Sequence, residues 1–105
     1  MKSFDETIDD ILQETRDTIS AKGIEYMIGL DPFHTFKEMG RLKNRTLQQG
    51  AWDAAIKQLV GVMDIIEYDR KEDLLLIKEK FGDLRVYLIL IEASWRLEHD
   101  KGRNV

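Results

Sequence analysis

The spacing of apolar residues in the last third of the chain constrains the fold more than any other feature. Apolar residues recur there every three or four positions, the spacing of one face of a helix. They are Leu74, Ile77, Phe81, Leu84, Leu88, Ile91 and Trp95. Such a heptad-like seam is typical of a long helix that packs against other helices. We therefore predict a helix from about Lys71 to His99 inside a helical bundle.

Helix-start signals predict a first helix at the beginning of the chain. Ser3 and Glu6 form a capping-box pattern ahead of residues with helical spacing. The apolar residues in this spacing are Phe4, Ile8, Ile11, Leu12 and Ile19. We expect this helix to end near Gly23 and a loop to occupy residues 23–30.

Two more helices are predicted between this loop and the last helix. Asp31 is a candidate N-cap before Pro32 at a first helical position, which predicts a short helix to about Lys43. Thr46 opens a second capping box, T-L-Q-Q, which predicts a helix to about Tyr68. The expected apolar face of this third helix is Trp52, Ile56, Leu59, Met63 and Ile66.

These elements define the expected fold class. No segment alternates with period two, so we predict an all-α four-helix bundle. A length of 105 residues suits one domain, which we expect to cover residues 1–105. The sequence has no cysteine, which excludes disulfides and zinc–thiolate sites and fits a reducing cytosol.

Charge and hydropathy exclude several classes of partner. No apolar run approaches the roughly 20 residues that a membrane helix needs, and the start MKSFDETIDD lacks the apolar segment of a signal peptide. A net charge of −4 argues against nucleic-acid binding. We therefore expect a cytoplasmic protein that binds neither membrane nor nucleic acid.

Two acids on the last helix are the leading candidates for a functional site. Glu79 and Asp83 are four residues apart and head a face that is otherwise apolar. That face continues through Val86, Leu90, Ala93 and Leu97. Carboxylates beside covered surface are costly unless cations or a metal pair with them. Two readings stay open: a metal site, or an ion pair at the helix end with Lys80 or Arg41.

The same helix predicts self-association, because it is apolar on two faces. A single bundle covers one of them, and large exposed apolar patches are unusual on monomers. We therefore expect a homo-oligomer, a dimer or larger.

A second acidic pair lies on the preceding helix. Asp64 and Glu67 are three residues apart, followed by Glu79 and Asp83 on the next helix. Pairs on successive helices can converge across their interface, and Mg²⁺ takes carboxylate oxygens together with water and phosphates. The alternative is a plain solvated face, since Asp and Glu make up 20 of the 105 residues.

Four motifs follow one another along the chain: K-G-I-E-Y from Lys22, D-P-F-H-T-F from Asp31, K-Q-L-V-G-V-M-D-I-I from Lys57 and E-K-F-G-D-L-R-V-Y-L from Glu79. In this order they resemble the motifs of the MazG-like all-α nucleoside triphosphate pyrophosphohydrolases. The similarity covers about residues 22–97. Within this superfamily, the chain resembles more closely the small phage and prophage proteins called nucleotide-modification-associated.

The resemblance implies a reaction and a set of roles. Family members use Mg²⁺, which Mn²⁺ can replace, to split a nucleoside triphosphate into a monophosphate and pyrophosphate, and they assemble as oligomers. The metal would be bound by the carboxylates of Asp64, Glu67, Glu79 and Asp83. Glu79 and Asp83 would also be the catalytic residues. Lys57 would neutralise a phosphate, and the substrate pocket would draw on Tyr26, Phe33, Phe36 and His34. For the aromatic residues, core packing is the competing interpretation.

Several residues differ from the family pattern, and these differences bear on whether the protein is catalytically active. Thr35 and Val86 stand where relatives carry Asn, Gln58 where many carry His, and Lys80 where the first acid of the classical motif falls. Three hypotheses follow: a nucleotide pyrophosphohydrolase, a non-catalytic nucleotide- or protein-binding member of the same fold, and a plain helical interaction module.

Overall fold

The computed structural model describes residues 1–26 and 31–103, except for the side chains of residues 23–26 and 103. The described residues form four helices, so the predicted all-α class is confirmed. The helices are α1 (Phe4–Tyr26), α2 (His34–Leu42), α3 (Leu47–Glu67) and α4 (Leu74–Arg103).

Two of the three predicted capping residues, Ser3 and Thr46, start their helices. The Thr46 hydroxyl accepts from the Gln49 backbone N–H at 3.1 Å, and the Gln49 side chain accepts from the Thr46 N–H at 3.0 Å. The Ser3 hydroxyl accepts from the Glu6 N–H at 3.1 Å. Each bond satisfies a donor that the first helical turn leaves without a backbone partner.

The end of α1 differs from the prediction. The helix continues to Tyr26, so the loop expected over residues 23–30 is wrong for its first four positions. A glycine inside a helix costs only about 1 kcal/mol relative to alanine, and Gly23 does not stop the helix. Residues 27–30 lie outside the described part of the chain.

Two helix starts differ from the prediction, and the N-cap predicted at Asp31 is wrong, because Phe33 occupies that position without a side-chain cap. The Asp31 carboxylate accepts from the Phe33 N–H at 3.0 Å, which places Pro32 in a turn and starts α2 at His34. The Asp73 carboxylate accepts from the Leu76 N–H at 3.2 Å, so α4 starts three residues later than expected.

Helix α4 is the centre of the fold, with α3 and α1 packed against it and α2 packed against α3. Helices α3 and α4 are antiparallel, because Gln48 contacts Ser94 while Gly61 contacts Lys80. The buried Gln48 amide donates to the Ser94 hydroxyl at 3.0 Å and to the Glu98 carboxylate at 2.9 Å. This polar network fixes the register of the two helices.

Glycines let α2 and α3 approach closely. A Cβ atom at Gly50 would lie 2.8 Å from the backbone nitrogen of Gly40, closer than real structures allow. The buried apolar residues of the described chain comprise one aromatic residue, two alanines and three β-branched residues on α2, α3 and α4. They are Phe36, Ala51, Ala55, Val62, Ile65 and Val86.

The apolar face predicted on α3 is largely exposed in the single chain. Trp52, Ile56, Met63 and Ile66 are 38, 41, 57 and 66% exposed. The helix instead turns its neighbouring face, with Ala51 and Ala55, toward the core. Alanines permit close helix contact, whereas periodicity only identifies the stripe with the larger side chains.

The heptad-like row of apolar residues predicted on α4 is also partly exposed to solvent. Leu88 and Trp95 are 47 and 58% exposed, while Val86, on the face headed by the acids, is fully buried. The molecule is extended, with dimensions of 50 × 29 × 24 Å and a radius of gyration of 15.8 Å. A compact chain of this length has a radius of about 13 Å. The single chain therefore leaves much of its apolar surface uncovered.

Candidate functional site

An open groove between α1 and α4 brings the leading candidate residues together. Its volume is about 280 Å³. Polar side chains dominate its lining, which includes Glu14, Thr15 and Thr18 from α1 and Glu79, Asp83 and Arg85 from α4. We call this space the acidic groove. Glu79 and Asp83 line it together because they are four residues apart on one helix.

The ion pairs of Glu79 are weak. The Lys80 ammonium lies 3.9 Å from the Glu79 carboxylate, whose side chain is 62% exposed. The Lys80 aliphatic chain packs on Gly61, and its ammonium donates to the Gln58 side chain at 3.5 Å. Arg41, the other candidate partner, pairs with Glu38 at 2.7 Å. Glu79 thus retains a largely open carboxylate for a ligand.

The acids of α3 lie elsewhere. Asp64 and Glu67 are exposed, while Val62 and Ile65 are among the buried residues of α3. Within the described residues, no three His, Asp or Glu side chains are close enough together to hold a metal ion. The predicted four-acid set is therefore not gathered in the single chain.

A smaller carboxylate set fits the chemistry of Mg²⁺. This ion is usually held by one or two carboxylates, with water and substrate phosphates completing its octahedron. Glu79 and Asp83 supply two carboxylates at one groove. The donor set is therefore adequate for a cation that arrives with a nucleotide, and too small for a cation held by protein alone.

Arg85 and Glu14 are the groove residues that the sequence analysis missed. Arg85 shares one face of α4 with Lys78, Glu92 and Arg96, and the Glu92–Arg96 pair at 2.8 Å on that face is exposed. Arg85 instead turns toward α1, where its Nε donates to the Thr15 hydroxyl at 3.1 Å.

The charge of Arg85 is available for a ligand. Among the side chains that the structure describes, Arg85 has no salt-bridge partner, and it is half-buried. Lys78 beside it lies 3.8 Å from Glu14. No sequence pattern indicated this contact, because Thr15 and Arg85 are 70 residues apart in the chain. An anchored guanidinium of this kind suits phosphate recognition.

The predicted aromatic residues do not share one pocket. Phe36 is 2% exposed and packs edge-on against Tyr87, with ring centroids 5.9 Å apart. This arrangement agrees with the interpretation that Phe36 is a core residue. Phe33 lines a separate cavity between the start of α2 and the end of α4. The Tyr26 side chain lies outside the described part of the molecule.

The remaining predicted contacts are dispersed. His34 is half-buried at the start of α2, and Lys57 is exposed on α3. Neither lines the acidic groove. The Lys22 ammonium lies 5.8 Å from the centre of the Tyr87 ring, a cation–π contact within the fold.

Comparisons of this chain with protein-family models, curated proteins and solved structures find no match. None of the helices formed by residues 1–26 and 31–103 is long and apolar enough to cross a bilayer. The class that the structure itself defines is an all-α protein with a mixed acidic and cationic groove beside its central helix.

Proposed function

We propose that the protein is a Mg²⁺-dependent nucleotide pyrophosphohydrolase that acts on a nucleoside or deoxynucleoside triphosphate or on a modified nucleotide. The observation that carries this proposal is the acidic groove, where Glu79 and Asp83 face the same space as the unpaired Arg85. Acids for a cation and a guanidinium for phosphate are the two charges that a metal–triphosphate complex requires. The family resemblance supports the same reaction.

Each groove residue has a distinct task in this proposal. Arg85 binds a phosphate, held in position by the hydroxyl of Thr15. Glu79 and Asp83 hold Mg²⁺, which when bound offsets phosphate charge and makes a water more acidic. The water oxygen bonds to the α-phosphorus while the bond between that phosphorus and the oxygen that bridges the α- and β-phosphates breaks. Pyrophosphate leaves, and a groove carboxylate accepts the proton of the water.

The proposal is tested by pyrophosphate release from a panel of ribo- and deoxyribonucleoside triphosphates with Mg²⁺ or Mn²⁺. We expect release with at least one substrate, and at least a hundredfold loss for Asp83→Asn, because an amide is neutral and binds the cation poorly. Glu72→Gln is the matched control, since Glu72 is an exposed acid outside the groove. Equal loss in both variants would contradict a role for the groove.

A non-catalytic nucleotide- or protein-binding module is the second candidate. The replacement of family polar groups by Thr35, Gln58 and Val86 favours it, and Val86 is fully buried. Mg²⁺-dependent binding of a triphosphate to folded protein, without pyrophosphate release, would establish this candidate over the enzyme.

Homo-oligomer formation is part of the proposal. Trp52 on α3 and Leu88 and Trp95 on α4 line one apolar cavity, so the two exposed stripes form a continuous surface. A second copy of the chain, carrying the same stripe, would cover it. Trp and Met are enriched at such interfaces.

Light scattering with charged variants tests the oligomer. We expect a dimer or larger for the wild type and a monomer for Trp95→Glu, because a carboxylate would be buried in the interface. Gln13→Glu, on the exposed part of α1, should leave the molar mass unchanged. A monomeric wild type at micromolar concentration would contradict the proposal.

A further inference from the structure

We propose that a second cavity between α1 and α4 binds the base of the nucleotide; this inference depends on the proposed function. The cavity has a volume of about 360 Å³, within the range of small-molecule sites. Its apolar lining consists of Ile11, Leu74, Ile77 and Phe81. No sequence prediction concerned this space, which we call the Phe81 cavity.

The Phe81 cavity adjoins the acidic groove. Glu14, Lys78 and Arg85 line both spaces, so their side chains form the boundary between an apolar compartment and a charged one. A nucleoside triphosphate has the same two parts, a planar ring and a charged chain. Placing the ring against Phe81 brings the phosphates to the Lys78 and Arg85 boundary, with Glu79 and Asp83 beyond it.

The lining chemistry favours a flat heteroaromatic ring over an aliphatic chain. Phe81 offers a half-buried aromatic ring, and base–aromatic stacking is tolerant of base identity. Thr7 and Asp10 add polar atoms at the cavity wall, where a base edge carries its hydrogen-bonding groups. Asp10 also pairs with Lys2 there, so the cavity mouth is charged.

Nucleosides without phosphate isolate the cavity from the metal chemistry. The probes are adenosine, guanosine, cytidine and thymidine, observed by saturation-transfer NMR with the full chain and no divalent cation. We expect at least one nucleoside to bind the wild type. Thr7→Trp, which fills the cavity from α1, should abolish that signal. Gln13→Trp, on the same helix but outside both spaces, is the matched control and should keep it.

A second variant tests the aromatic ring itself. Phe81→Leu keeps an apolar side chain but removes the stacking surface, so nucleoside affinity should fall about tenfold. In the hydrolysis assay, the same variant should raise KM while leaving kcat nearly unchanged, because the ring contacts the base and not the reacting phosphorus.

The outcomes separate this inference from the proposed function. Hydrolysis with unchanged KM in Phe81→Leu and Thr7→Trp would overturn the cavity assignment and leave the enzyme standing. Nucleoside binding that Thr7→Trp abolishes, without any hydrolysis, would support the cavity and overturn the enzyme. A folded wild type that binds no nucleoside would overturn the cavity assignment.

Discussion

Helix α4 has two contrasting interfaces. Toward α3 it meets a helix whose buried face carries alanines, and the buried Gln48 amide of α3 donates to Ser94 and Glu98 on α4. Toward α1 it meets longer polar side chains, through the Arg85–Thr15 hydrogen bond and the Lys78–Glu14 ion pair. Two cavities lie along this second interface, the α1–α4 seam.

The two interfaces differ in the size and polarity of their side chains, and this difference suggests that one contributes mainly to stability and the other to ligand binding. Small residues such as Ala51 and Ala55 on the buried face of α3 favour close contact and dispersion in the core. In the α1–α4 seam, long charged side chains such as Lys78 and Arg85 line open volume. We therefore expect substitutions on the α3 side to change mainly the free energy of unfolding, and those in the seam to change mainly ligand affinity.

Gly50→Ala should have the largest effect on the α3 side. Alanine in an open helix is about 1 kcal/mol better than glycine, but here its Cβ would collide with the Gly40 backbone. Overpacking against backbone should lower the unfolding free energy by about 1–3 kcal/mol, measured by urea denaturation. Gly102→Ala is the control, because nothing lies within 4 Å of its Cβ. Unchanged stability in Gly50→Ala would show that α2 and α3 are further apart than described.

Gln48→Leu tests the polar network between α3 and α4. The variant keeps the size of the side chain but leaves Ser94 and Glu98 without their buried donor. The unfolding free energy should fall by about 1–3 kcal/mol. The matched control is Gln13→Leu, which removes an exposed hydrogen bond to Asp17 and should change stability by less than about 0.5 kcal/mol. Equal effects would indicate that the network is solvated.

Arg85→Met, in the α1–α4 seam, should lower ligand affinity more than it lowers stability. One hydrogen bond to Thr15 is lost, so stability should fall by only about 0.5–1.5 kcal/mol. Triphosphate affinity, measured by calorimetry with Mg²⁺, should fall at least tenfold, because the unpaired guanidinium is gone. Arg96→Met, which breaks an exposed pair with Glu92, should leave both quantities nearly unchanged. A large loss of stability with unchanged affinity would place Arg85 in the fold and not in the site.

Local signals in the sequence predicted the helices but not which face of each helix packs against which other helix. The capping boxes at Ser3 and Thr46 predicted the starts of α1 and α3, since such bonds form within one turn. The packed face of α3 was missed, because periodicity weights Trp52 above Ala51 and does not distinguish contact within a chain from contact between chains.

The candidate site shows the same limit. Glu79 and Asp83 were identified because both lie on one helix, where spacing determines proximity. Glu14 and Arg85 were missed, because their place in the groove depends on α1 packing beside α4, which is a property of the tertiary structure.

The smallest predicted effect concerns pH and the start of α2, on the α3 side of the molecule. The Lys37 ammonium, 2.7 Å from the Asp31 carboxylate, and the Phe33 N–H together lower the pKa of Asp31. A lowered pKa in the folded state contributes stability above the unfolded value of about 3.9, and this contribution is lost as pH falls through the folded pKa. Asp31→Asn should therefore lower the urea midpoint slightly at pH 7, and its difference from the wild type should narrow near pH 2.

A partner variant decides whether Lys37 causes that pH dependence. Lys37→Met removes the first and largest cause of the lowered pKa and leaves the Phe33 N–H in place. In this background, Asp31→Asn should shift the midpoint at pH 7 less than it does in the wild type, since the two substitutions remove the same ion pair. Fully additive effects would mean that the exposed pair is screened by solvent and that the backbone hydrogen bond alone stabilises the turn before α2.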